Sequence, residues 1–348
     1  MTPLLRAAQV LDQAIAGRVF PGAVVEVGTA AGLLTTLARG TLDYGPDSLA
    51  VQAGTIYDLA SLTKVLATAM LAAGLLEARR LQLDDPVSTW CPYWTGRDRQ
   101  PVTVRHLLEH ASGLPAHRPY FETCAGRDAI ERAIAVEPLD YAPGSRSIYS
   151  DAGFILLGLV LERAGGAPLD IQFDAWRRAA LGAHATIGFC PPAAWRNHIA
   201  PTEVDDRRGG VLIGTVHDEN AAALGGVAGH AGLFGTAAAA GACARWWMAE
   251  AARSVVVTEF LRRGHVPGSS RALGWDTALP TSSCGTRMPP TAVGHTGFTG
   301  TSLWIDREQG RYIVFLSNRV HPSANREGIQ LVRRALHDAV ADDLSLGG

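Results

Sequence analysis

Ser61-Leu62-Thr63-Lys64 sets a hydroxyl and an amine three residues apart, at the start of an apolar stretch of helical period that runs from about Ser61 to Arg80. Residues three apart on a helix share a face, so the Lys64 amine is within reach of the Ser61 hydroxyl. A serine hydroxyl is a weak nucleophile until a neighbouring base takes its proton. A helix N-terminus also aims backbone N–H groups at developing negative charge. Spacing alone is weak evidence, since S-x-x-K arises by chance about once in a chain of this length and also fits a capped helix with a solvated lysine. Composition adds to it. Lys and Arg together number 31, and Lys64 is the only lysine among them. Much of that imbalance is codon usage. Even so, arginine cannot be deprotonated in a protein, whereas a buried lysine can be tuned into a base.

Two further constellations lie downstream. Tyr149-Ser150-Asp151 follows Ala142-Pro143-Gly144 and precedes the apolar helix expected over Phe154–Leu161. A tyrosine at such a junction can project into a cleft and shuttle protons if a cation lowers its pKa, though an ordinary half-buried tyrosine also sits this way. Gly294-His295-Thr296-Gly297-Phe298-Thr299-Gly300 leads into the strand expected over Thr301–Asp306. Glycines there let backbone N–H groups approach a substrate, as an edge-strand oxyanion site requires; a plain glycine turn is the alternative.

In this order the three resemble the S-x-x-K, Y-x-N and K-T-G signature of the serine β-lactamase and penicillin-binding-protein superfamily. The resemblance is to its class C-like branch, which also holds esterases, D-aminopeptidases and cell-wall peptide hydrolases. Supporting stretches run along nearly the whole chain: Phe20-Pro21-Gly22-Ala23, Leu83-Asp84-Asp85-Pro86, His106-Leu107-Leu108, Ser112-Gly113-Leu114-Pro115, Pro143-Gly144 and Ala231-Gly232-Leu233. The resemblance implies Ser61 as nucleophile, Lys64 and Tyr149 as a proton-transfer pair, and an oxyanion hole of the Ser61 and Phe298 N–H groups. His295, Thr296, Gly297 and Asp151 are then substrate-binding residues. Which of Lys64 and Tyr149 is the base stays open, because coupled groups titrate as a unit.

Two positions depart from the lactamase pattern. Asp151 stands where the asparagine donates to a β-lactam's acylamido carbonyl, and a carboxylate cannot donate unless protonated. His295 stands where a lysine supplies fixed charge, and a histidine of ordinary pKa is only roughly a quarter charged at pH 7. Both weaken the case for efficient β-lactam turnover. Asp151 is left to pair with Lys64 or to receive a substrate amine. The expected activity is hydrolysis of a small ester or amide through an acyl-enzyme. The alternatives are a cell-wall muropeptide or D-amino-acid peptide amidase, weak β-lactam hydrolysis, acyl transfer, and a sensor that acylates and stalls.

The 348 residues are 47% hydrophobic and 18% charged, enough to bury a sizeable core and too apolar for a disordered chain. A net charge of -2 leaves no basic surplus for nucleic acid. Five cysteines without a C-x-x-C pair read as reduced thiols. Neither a signal-peptide pattern nor an uninterrupted membrane-spanning run is evident, so a cytoplasmic protein with no membrane partner is expected.

The expected elements are an N-terminal helix over Met1–Gly17, a hairpin of Gly22–Gly28 and Leu33–Gly40, terminal strands Thr301–Asp306 and Arg311–Asn318, and a closing helix over Asn325–Asp342. Signals from about residue 81 to 200 are mainly helical, and residues 201–240 read as loop with one short helix. The fold class is therefore α/β (α+β): an antiparallel sheet flanked by helices, formed by 1–80 and 205–348, with a mostly helical part over 81–204 and the active site in the cleft between.

Two other patterns compete for a role. His106-Leu107-Leu108-Glu109-His110 matches the H-x-x-E-H of some metalloproteases. It coincides, however, with a structural stretch of the resembled family. His217-Asp218-Glu219 with His230 is a possible ligand set, for which loop hydrogen bonding or substrate contact is the plainer role. No metal and no cofactor is expected.

Overall fold

The computed structural model describes residues 4–324 and 327–345, so the expected helix starts at Met1 and Asn325 lie outside the described residues. Six antiparallel strands form the main sheet: β1 (Gly22–Thr29), β2 (Gly32–Gly40), β3 (Asp276–Thr277), β4 (Val293–Thr296), β5 (Ser302–Asp306) and β6 (Arg311–Ser317). Their spatial order is β2-β1-β6-β5-β4-β3, which puts the chain's two ends side by side at β1 and β6.

β1 and β6 are buried on both faces, and the two-residue period of the strands divides their side chains between two cores. Val25, Val27, Ile313 and Phe315 pack with Leu11 of α1 (Leu5–Ala16) on one side. Leu336 and Val340 of the C-terminal helix Ile329–Ser345 close that side. Val24, Val314 and Leu316 face the other way, into a larger core with Trp247 of the helix Ala237–Ala251 and the apolar face of Ala69–Glu77.

The same core continues through Leu107, Leu108, Phe154 and Leu156, so residues 81–204 share it with the sheet. A small sheet links the two parts. Leu233–Gly235 lies between Tyr57–Asp58 and Ile187–Phe189, crossing the 204/205 division drawn from the sequence.

Three expectations about elements change. The Ser61–Arg80 helix is built in pieces: a 3-10 turn at Ala60–Leu62, a wide π turn at Lys64–Thr68, then regular α-helix over Ala69–Glu77. It stops early because Arg79 turns into the left-handed region, with φ +54°. The 81–200 stretch keeps its expected helices, the longest being Arg127–Val136, Asp151–Gly165 and Leu169–Leu181, but adds the Ile187–Phe189 strand. Residues 201–240 hold short strands as well as the helix Glu219–Ala223. These strands are two or three residues long and exist through their tertiary partners, so no local alternation announces them.

Candidate active site

The turn that carries Ser61 is fixed from below. Ala60 sits at φ +47°, a left-handed conformation that costs a non-glycine residue about 1–2 kcal/mol. The buried Asp58 holds it there by accepting the Ala60 N–H at 2.8 Å, and its second carboxylate oxygen accepts the His217 N–H at 2.7 Å. Burial pushes the Asp58 carboxyl above its ordinary value, against the pull of these two N–H groups. Thr299 and Thr301 donate their hydroxyls to the carbonyls of Asp58 and Leu59, stitching the Ser61 turn to the loop between β4 and β5.

Ser61, Lys64, Tyr149 and Asp151 converge on this turn. The Lys64 side chain is fully buried, and its Nζ donates to Ser61 Oγ at 3.2 Å, Asp151 Oδ1 at 2.8 Å and the His230 carbonyl at 3.1 Å. Three acceptors around one nitrogen match the three protons of an ammonium. Burial alone would lower the Lys64 pKa, but Asp151 and Tyr149 outweigh it and hold the amine above the usual lysine value. Tyr149 donates its hydroxyl to Ser61 Oγ at 2.8 Å, and burial pushes that phenol up while Lys64 opposes the shift. Asp151 is thus the counter-ion of Lys64.

His295, Thr296, Gly297 and Phe298 line the same cleft as Ser61 and Tyr149, a cavity of about 870 Å³. The Phe298 N–H has no acceptor among the described residues, as an oxyanion donor needs. Its carbonyl accepts from Arg319 at 2.8 Å, and its half-exposed ring stacks on His217. Gly297 has to be glycine here, because a Cβ would lie 2.1 Å from Thr301 Oγ1 and 2.7 Å from the Leu59 carbonyl. His295 is only 4% exposed, and its Nδ1 lies 2.9 Å from the Thr296 carbonyl, to which it donates. Burial, then Lys64 and Arg271, drive its pKa well below 6.5. The quarter charge expected for an ordinary histidine is therefore absent: His295 is neutral.

One cation of the cleft, which Arg319 and Arg333 also line, is a residue that spacing did not reveal. Arg271 borders the cavity with its guanidinium 5.4 Å from the Tyr149 ring centroid, and it makes no ion pair with any described residue. Nothing in the sequence separates it from the other arginines. His117, 4.0 Å from Asp151 Oδ2, is a second lining residue the motifs missed. Of the weighed ligand set, His217, Asp218 and Glu219 border the cleft, but they act as a scaffold. Asp218 Oδ1 accepts from the Ala221 N–H and pairs with His230 Nε2 at 2.7 Å, and His217 Nε2 lies 2.9 Å from Glu203. Burial raises the Asp218 pKa, yet His230 outweighs it and leaves the carboxyl below the usual range. His106 caps the helix Val104–Leu108 through Thr103, while His110 lies against Tyr149. No group of three or more metal-type ligands converges among the described residues.

Residues 7–337 match the Beta-lactamase family. The chain belongs to this family of serine hydrolases. Among curated relatives, the Escherichia coli K12 protein named "Putative D-alanyl-D-alanine carboxypeptidase" is 32% identical over 308 residues, covering 77% of this chain and 70% of the relative. A Salmonella paratyphi B protein of the same name is 32% identical over 315 residues, covering 78% and 71%. Solved structures share the β-lactamase-family fold at lower identity. "EstCE1, a hydrolase with promiscuous acyltransferase activity" superposes with a TM-score of 0.77 at 22% identity over 97% of both chains. A class C β-lactamase from Rhodobacter sphaeroides gives 0.77 at 20% identity over 97% of this chain and 99% of the other. These matches show the β-lactamase-family fold of an antiparallel sheet with helices.

Proposed function

We propose that the chain hydrolyses a small ester or amide through an acyl-enzyme on Ser61. The observation that carries this is the convergence of Lys64 Nζ and Tyr149 Oη on one oxygen, at 3.2 and 2.8 Å. The Lys64–Tyr149 unit, whose members titrate together, first releases one proton to solvent; as Ser61 Oγ attacks the carbonyl, the serine proton then passes to the site left open on that unit. The same unit returns a proton to the leaving group. The Ser61 and Phe298 N–H groups take up the charge that develops on the carbonyl oxygen. Water then attacks the acyl-enzyme from the open cleft and releases the acid.

Among substrates we favour a peptide amide ending in a carboxylate. Arg271 stands beside Tyr149 without an anionic partner among the described residues, and the curated relatives carry a D-alanyl-D-alanine carboxypeptidase name. A guanidinium is a strong carboxylate partner. The departures at Asp151 and His295 weigh against β-lactams, since one carboxylate is engaged by Lys64 and the imidazole is uncharged.

The test compares kcat/KM for a D-alanyl-D-alanine peptide, p-nitrophenyl butyrate and nitrocefin, alongside Ser61→Ala. The peptide and ester should turn over, nitrocefin slowly, and the alanine variant not at all, with a butyryl mass on Ser61 trapped early. Activity retained without Ser61 removes the assignment. A stoichiometric burst without turnover makes the protein a sensor, and a preference for nitrocefin makes it a β-lactamase.

A further inference from the structure

The H-x-x-E-H stretch ends on a histidine not yet given a role. His110 is 1% exposed and lies in the left-handed region at φ +55°. From there it accepts three hydrogen bonds, two of them from the segment around Tyr149. Its carbonyl accepts from the Ile148 N–H at 3.0 Å and from the Tyr141 hydroxyl at 3.0 Å, and its Nδ1 accepts from the Ser150 N–H at 3.0 Å. Residues 148 and 150 are thus tied on both sides of Tyr149. The His110 ring packs against the Tyr149 ring, with centroids 4.7 Å apart, and against Phe154 at 4.8 Å.

Because Nδ1 accepts, the ring's proton must be on Nε2, and a second proton would face the Ser150 N–H. His110 is therefore locked neutral in one tautomer. It adds no charge beside Lys64, whose Nζ lies 4.8 Å from the same Tyr149 ring.

We infer that His110 is a positioning residue for proton transfer: its ring and its three hydrogen bonds aim the Tyr149 hydroxyl at Ser61. The inference rests on the reading of Ser61, Lys64 and Tyr149 given above. If it holds, His110 matters most where a leaving group must receive a proton and least where the leaving group departs as a stable anion.

The experiment uses phenyl butyrate and p-nitrophenyl butyrate, which give the same acyl-enzyme and differ only in the departing phenol. His110→Asn suits it, since asparagine tolerates the left-handed backbone and keeps an acceptor at the position of Nδ1 while removing the ring. Active sites are counted by fluorophosphonate labelling of Ser61, so misfolded protein does not enter the rates. The expected result is a kcat/KM loss on the phenyl ester about tenfold larger than on the p-nitrophenyl ester, smaller than the roughly hundredfold or more of removing an acid–base group outright. In a Tyr149→Phe background the same substitution should add less than about a twofold loss, the mark of residues acting as a unit.

An equal loss on both esters, or rates unchanged per active site, overturns the inference and leaves His110 a packing residue. If His110→Asn does not fold, His110→Gln is read by the same criterion. The Ser61→Ala control keeps the outcomes apart, because activity without Ser61 removes the catalytic reading itself.

Discussion

Lys64 is enclosed by three acceptors at 2.8 to 3.2 Å, a cage shaped for a single nitrogen. A guanidinium spreads its donors over a rigid fork and does not give up a proton. Lys64→Arg should therefore lower kcat on p-nitrophenyl butyrate by at least about a hundredfold, the scale of a lost general base. A near-native rate would mean that Lys64 supplies charge alone. Asp151→Ala acts on the same cage from outside, leaving a buried ammonium without its counter-ion. The expected cost is about 3 kcal/mol, seen as a lower urea midpoint. Lys64 was legible as the sole lysine three residues from Ser61, and Tyr149 and Asp151 through the resemblance of their stretch to the Y-x-N motif. Arg271 was not. It is one of thirty arginines (31 cationic residues less the single lysine), and only the fold brings it to Tyr149. Asp58 was equally hidden, since its role depends on the conformation of Ala60 and on His217, far along the chain.

The element that sets the depth of the site is the crossing of the helix Asp151–Gly165 with the segment around Gly229. Gly158 and Gly229 meet here: a Cβ on Gly229 would lie 2.1 Å from the Phe154 carbonyl and 2.9 Å from the Gly158 nitrogen. The close approach lets Thr68 donate to the Gly229 carbonyl at 2.6 Å and Lys64 to the adjacent His230 carbonyl. Gly229→Ala should force the two apart, at a cost of about 1–3 kcal/mol. Because the displaced backbone carries an acceptor of Lys64, kcat per active site should fall as well. A thermal melt paired with steady-state rates checks both. The N-terminal hairpin and the two C-terminal strands could be read in advance, because each pair is a set of short β-prone runs around a turn. Leu233–Gly235 could not, as its three residues pair only with strands distant in sequence.

At the scale of the molecule, the larger core runs without a break from β1 through the helices of 81–204, so the chain should unfold as one unit. Three buried histidines, His110, His295 and His337, are all held below 6.5 by burial, with neighbouring cations adding to the effect; His337 is pushed down to about 3. In the unfolded chain each binds a proton below about pH 6.5, whereas in the native fold it does not. Stability is then full above that pH and declines as pH falls, by about 1.4 kcal/mol per pH unit for each ring. Raised carboxyls at Glu26, Asp58 and Glu109 work in the opposite direction. The urea midpoint should therefore drop clearly between pH 7.5 and 5.5, and an unchanged midpoint would show that these rings ionise in place. The fully buried Lys64 has one more consequence. As the sole lysine it gives the native surface no ε-amine, so succinimidyl dyes and glutaraldehyde should couple only at the α-amine. Unfolding exposes one new coupling site per molecule, in the S-x-x-K stretch itself. The rate at which that site takes up dye should track the unfolded fraction, making the protein its own single-site reporter of global opening.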